Sequence, residues 1–158
     1  MDKVEILILR NLLYNEEYLR KVIPFIKADY YEDSNQRIVF EEIEKFVQEY
    51  NQPATKEVLC IEVEKRQDIN DTTFSEITKL ISYLEDVPTD YEWLCDTTEK
   101  WCRDRAIYLA LMESIALADG KDKDKDRGAI PSILSNALAV SFDTNIGHDY
   151  LIDYEQRY

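Results

Sequence analysis

Residues that break helices and residues that build reactive sites are both scarce in this sequence. Three glycines and four prolines in 158 residues are too few for the frequent tight turns of an all-β fold. The single histidine, His148, lies in the tail, which argues against a Ser/His/Asp triad. Three cysteines, Cys60, Cys95 and Cys102, form an odd set without framework spacing, which fits a reducing compartment and free thiols. Cys95 and Cys102 stand about 10 Å apart along one helix face, beyond disulfide reach, and a zinc site needs four ligands that this set does not supply. The longest apolar run, Val4 to Leu9, is broken by Glu5, and neither a membrane span nor a signal peptide follows from it. A soluble, cytoplasmic protein is expected.

Positive charge is also in deficit. With 33 acidic and 19 basic residues the formal net charge is −14, which repels a phosphate backbone and argues against strong DNA binding by this chain alone. Its partners are expected to be proteins. A phosphate-cradling loop is absent as well. The motif G-x-x-x-x-G-K-[ST] would need a glycine where Ile115 stands, and Gly120-Lys121 is followed by Asp122. No catalytic residue, cofactor site or metal site is therefore assigned, and the scattered carboxylates read as solvated helix faces.

What is present is helical periodicity, and the expected class is all-α: a compact head over residues 1–88, a helical hairpin over 89–142 and a linker over 143–158. In the head, Asp2 can cap a helix carrying Val4, Leu7, Ile8, Leu12 and Leu13, and Asn15 a second bearing Tyr18, Leu19, Val22 and Ile23. Pro24 ends or bends it. Ser34 is read as the cap of a third, with Val39, Ile43, Phe46, Val47 and Tyr50 on one face, stopped by Asn51-Gln52-Pro53. Thr55 caps a fourth with Val58, Leu59 and Val63, and Thr73-x-x-Glu76 boxes a fifth with Ile77, Leu80, Ile81 and Leu84.

The hairpin opens on a capping box at Thr89-Asp90-Tyr91-Glu92, and no Gly or Pro interrupts the chain from there to Gly120. Its first arm is thus about 29 residues, roughly 43 Å long. The return arm, with Pro131 in its first turn, carries Ile130, Ile133, Leu134, Ala137, Leu138 and Ser141 at helical spacing over about 17 Å. Along the long arm Leu94, Trp101, Tyr108 and Ile115 recur every seven residues, with Thr98, Arg105 and Met112 interleaved. Such a stripe serves either as an internal core face or as a contact with a second copy. Arms of unequal length cannot cover each other, so Leu94, Trp101, Tyr108, Met112, Ile115, Leu134 and Leu138 are the self-association candidates. The alternating run Lys121 to Arg127 cancels its own charge and reads as a solvated tip. In the tail, Gly147 gives a pliable point, and Tyr150, Leu151, Tyr154 and Tyr158 line one face of a linker helix that needs a partner. Tyr150 to Tyr154 meets no helix cap.

Several anchors resemble a known family. Leu12-Leu13, Asp29-Tyr30-Tyr31, Gln36-Arg37-Ile38-Val39-Phe40 and Pro53 are similar to the N-terminal domain of DnaB-type replicative helicases. Gly128-Ala129-Ile130-Pro131, Ala137 to Asp143, Gly147-His148-Asp149, Asp153-Tyr154-Glu155, and Asp90 to Leu94 with Thr98-Glu99-Lys100 resemble the hexameric helicases of T-even-like phages. One departure is Asn51-Gln52 ahead of Pro53, where cellular relatives commonly carry a glycine. The resemblance implies a domain that pairs into dimers, assembles three dimers into the collar of a hexameric ring and docks primase or a loader. It also implies a linker to a RecA-like motor that holds ATP and Mg outside this chain and drives the ring 5′ to 3′ on DNA, in the cytoplasm of an infected bacterium. The rival reading from charge alone is a stand-alone acidic adaptor or nucleic-acid mimic.

Overall fold

The computed structural model describes residues 3–120 and 126–142. Every regular element among them is helical: α1 (Lys3–Tyr14), α2 (Glu16–Val22), α3 (Ser34–Tyr50), α4 (Lys56–Glu64), α5 (Asp71–Ser82), α6 (Tyr91–Ala118) and α7 (Ile130–Leu138), with short 3₁₀ turns at Ile23–Phe25, Ala28–Tyr30 and Arg127–Ala129. The all-α expectation holds. The chain divides into two compact units, Met1–Thr98 and Glu99–Tyr158, so the first two turns of α6 group with the head.

In the head, α3 is the central rod, touching α1, α4, α5 and the turn at Ala28–Tyr30. Its Val39, Phe40 and Ile43 are fully dry, as are Ile8, Leu9 and Leu12 of α1, Leu59 of α4 and Ile77 of α5. Ile8, Leu12, Val39, Ile43, Leu59 and Ile77 are positions that the 3.6-residue period places inward; Leu9 and Phe40 are dry beside them, and Tyr50, expected on the α3 face, is 57% exposed. The family-like anchors have structural jobs here. Gln36 is buried, Arg37 Nη2 donates to the Tyr31 carbonyl at 2.8 Å, and the Tyr31 ring lies 5.5 Å from that of Phe40. Asn51 ends α3 in the left-handed region (φ 55°), the conformation for which glycine is the usual choice and Asn the tolerated substitute. Its Oδ1 and carbonyl accept from Arg20 at 3.0 and 2.9 Å.

The caps show where local sequence is ambiguous. Asn15 and Thr55 cap as expected, accepting from the amides of Tyr18 and Val58. Three expected caps are displaced. Asn70, not Thr73, caps α5 by accepting from the Thr73 amide at 2.8 Å. Asp90, not Thr89, accepts from the Trp93 amide at 2.9 Å, while the Thr89 hydroxyl turns back to the Val87 carbonyl. Ser34 is already helical, and Asp33 precedes it without a side-chain cap bond. Asp2 lies outside the described residues.

At the end of the head a buried hydroxyl pair fixes α6. Thr98 Oγ1 donates to the Leu94 carbonyl at 2.8 Å, which uses its only proton, so Tyr18 supplies the donor of the 2.6 Å bond between the two hydroxyls. Leu94 and Cys95 are buried beside it in sequence.

Candidate assembly surface

From Glu99 onward α6 and the returning segment form a two-armed hairpin joined at both ends. At its base, Glu99 Oε2 accepts from the Phe142 amide at 2.9 Å, the Ser141 hydroxyl at 3.1 Å and Arg103 Nη2 at 3.3 Å. Arg103 Nε donates to the Val140 carbonyl at 3.0 Å. At the far end Gly120 turns the chain with φ 73°, Asp126 Oδ1 accepts from the Gly128 amide at 2.9 Å, and Arg127 Nη2 donates to the Ala118 carbonyl at 2.9 Å. The short α7 carries Pro131 in its first turn, where the missing N–H is harmless. Buried within this unit are Trp101, Cys102, Ala110, Ser114, Leu117, Ala137 and Phe142. Burial, helped by the nearby Glu99 charge, pushes the Cys102 thiol up to about 12.

The sevenfold stripe does not stay on one face. Leu94 and Trp101 are 0% and 8% exposed, whereas Tyr108 and Ile115 are 47% and 54% exposed. A straight α-helix drifts about 20° per heptad against a strict seven-residue repeat. Three heptads from Leu94 to Ile115 therefore rotate the stripe by roughly 60°, out of the interior and into solvent. The inward face of the later turns is held instead by Ala110, Ser114 and Leu117.

What remains outside is a coherent patch. Tyr108, Leu111, Met112 and Ile115 sit at i, i+3, i+4 and i+7, each about half exposed, and Arg105 stacks over the Tyr108 ring at 4.8 Å. Leu138 on α7 is 65% exposed and Leu134 is half-buried. Of the residues expected to meet a second copy, then, Leu94 and Trp101 are taken up inside the chain. Tyr108, Met112, Ile115 and Leu138 are open to solvent. Leu111 was not among them, and reading from Tyr108 at 3.6-residue spacing would have included it. Tyr150, Leu151, Tyr154 and Tyr158 of the linker stripe lie outside the described residues.

The reactive groups are quiet. Cys95 and Cys102 are buried and Cys60 half-buried, all as free thiols. Burial raises the Cys95 thiol above its ordinary value, and burial together with the Cys95 neighbour pushes the Tyr91 hydroxyl up to about 12. A thiol held protonated is a poor nucleophile and a poor metal ligand. Among the described residues no group of His, Cys, Asp and Glu is placed to hold a metal ion, and no helix is long and apolar enough to cross a membrane.

No protein-family model matches the chain. It is 33% identical over 160 aligned positions to a DnaB-like replicative helicase of Enterobacteria phage T4, an alignment that covers 96% of this chain. The chain spans about a third (34%) of that relative's length. The all-helical head, the two-armed unit and this end-to-end similarity are consistent with the N-terminal domain of a phage DnaB-type replicative helicase.

Proposed function

We propose that this chain is the collar and assembly domain of a replicative 5′–3′ DNA helicase, joining copies of itself in a ring and offering a docking surface to primase or a loader. The observation that carries the reading is the half-exposed row Tyr108, Leu111, Met112 and Ile115 on α6, on a chain similar to a DnaB-like replicative helicase along nearly all its length. Four large apolar side chains at one helical spacing are the pattern of a face that packs on another helix. An acidic adaptor or nucleic-acid mimic would draw on the net charge of −14 but has no use for this row. In this reading nucleotide, Mg and strand separation belong to a motor outside these residues, and the domain itself turns over no ATP.

Sedimentation of the chain at tens of micromolar tests it. Species heavier than 18.7 kDa are expected, and Tyr108→Asp or Ile115→Asp should weaken their association by about 2 kcal/mol or more. A monomer at every concentration, unchanged by either substitution, would overturn the assembly role.

A further inference from the structure

The end of the head carries a second exposed surface, running from Tyr83 just past α5 to Trp93 in the first turn of α6. Tyr83, Val87 and Trp93 are each about half exposed or more. Tyr14 of α1, another exposed aromatic, joins them in space, because its hydroxyl donates to the Leu84 carbonyl at 3.1 Å. A slack segment could tuck such side chains away, but this one is pinned. Lys56 Nζ of α4 donates to the Ser82 carbonyl and to Glu85 Oε2, both at 3.1 Å. The Thr89 hydroxyl bonds the Val87 carbonyl, and Asp90 caps the Trp93 amide. Aromatic side chains kept in water on a fixed backbone suit a protein interface, because little conformational entropy is left to lose on binding.

The charge along this surface has one sign. Glu85, Asp86, Asp90 and Glu92 lie within it, and no basic residue occurs between Lys79 and Lys100. Two lysines reach it from elsewhere in the head. Lys56 is taken up by Glu85 and the Ser82 carbonyl, and the charge of Lys21, felt at Cys95, is opposed there by Asp96 and Glu17. Asp86 and Glu92 are exposed, and neither has an ion-pair partner among the described residues. Such a surface repels a phosphate backbone or an acidic membrane, and a second copy would bring the same charge. Carboxylates interleaved with open rings fit a cation that also stacks, and a planar guanidinium does both.

We propose that the surface from Tyr83 to Trp93 docks a basic, arginine-bearing segment of a protein partner, with Tyr83 and Trp93 stacking on its guanidinium groups and Asp86 and Glu92 pairing with their charge. It supplies the docking half of the function proposed above, on which the inference rests, and needs no assembly through α6.

The test titrates three capped peptides, Gly-Arg-Leu-Arg-Arg-Gly and its citrulline and lysine counterparts, into the full isotope-labelled chain and follows its amides by NMR. The arginine peptide is expected to give saturable shifts centred on Tyr83, Val87, Glu92 and Trp93 that weaken as salt is raised. The citrulline peptide, which lacks the charge, should bind about tenfold more weakly. The lysine peptide should bind about threefold more weakly, since an ammonium has no flat face to stack. Trp93→Ala should weaken the arginine peptide about fivefold and Glu92→Gln about threefold. Glu49→Gln, which removes the same charge from the exposed end of α3, should leave it unchanged. Should Trp93→Ala fail to fold, Tyr83→Ala decides in its place, with about a threefold loss. Absence of saturable shifts, shifts spread over the acidic surface at large, or citrulline or lysine binding as tightly as arginine would each overturn the proposal. So would Trp93→Ala or Tyr83→Ala binding like the unaltered chain, or Glu49→Gln costing as much as Glu92→Gln. Shifts of the Tyr83 and Trp93 amides with chain concentration alone would give the surface to a second copy and overturn it too. Sedimentation reads assembly through α6 separately, so either reading can fail without the other.

Discussion

In the head, the central helix α3 is flanked by α1, α4 and α5, and the large aliphatic and aromatic residues on its inner face are dry. In the second unit the described residues bury six apolar side chains, Trp101, Cys102, Ala110, Leu117, Ala137 and Phe142, while Tyr108, Leu111, Met112, Ile115 and Leu138 stay about half exposed or more. The head completes its core with its own chain. The hairpin leaves unspent roughly 1 kcal/mol of burial for each half-exposed residue, and that unused driving force is what a second copy can collect. The head's aliphatic interior answers to folding, and the hairpin's outer row is the surface that the proposed assembly would use.

The sharpest way to break that contrast is to truncate one residue of each kind. Phe40→Ala, in the dry centre of the head, should cost about 3–5 kcal/mol in urea denaturation of the dilute chain, whereas Ile115→Ala should cost under about 0.5 kcal/mol. Comparable losses at the two positions would mean that the outer row of α6 is already core.

Alkaline pH probes the hairpin's smaller interior. Burial holds the Cys102 thiol protonated up to about 12, against an ordinary value of 9.0. The folded chain therefore keeps a proton that the unfolded chain gives up above about 9. The stability this confers is fully present below that pH and is lost as pH climbs toward 12, at about 1.4 kcal/mol per unit. Between pH 8 and 10.5 the wild type should lose about 2 kcal/mol more than Cys102→Ala, read from urea midpoints. Parallel profiles would show that the interior beside Glu99 is wet.

The smallest effect sits where the two units share a helix. Asp90→Ala should cost about 1 kcal/mol through the lost cap of α6, and Thr89→Ala should stay within about 0.5 kcal/mol. Thermal melts separate the two, and the reverse order would restore the capping box at Thr89.

These substitutions also mark what the sequence could and could not tell. Helix faces were partly legible because burial follows the 3.6-residue period, as at Val39 and Ile43, whereas Phe40, outside the expected face, is dry and Tyr50, expected on it, is 57% exposed. Isolated caps such as Asn15 and Thr55 were legible too. Where cap-competent residues crowd together, as in Thr89-Asp90 or Asn70-Asp71-Thr72-Thr73, each can accept from an amide three residues on, and only packing decides which one does. The exposed row of α6 was half legible. A sevenfold repeat found Tyr108 and Ile115 but also drew in Leu94 and Trp101, because a repeat of seven marks one face only if the helix supercoils. The burial of Glu42 against Arg66 had no sequence signature, since Arg66 comes from 24 residues away.

The triple acceptor at Glu99 has a topological consequence. By taking the Phe142 amide, 43 positions away, it closes the second unit into a loop, and Arg127 ties the far end to Ala118. The entropy of closing such a loop grows only with the logarithm of its length, so doubling the length would cost about 0.6 kcal/mol. A longer connection between Ala118 and Arg127 would therefore cost the second unit little, and a reporter inserted there is expected to change its stability by no more than about 1 kcal/mol.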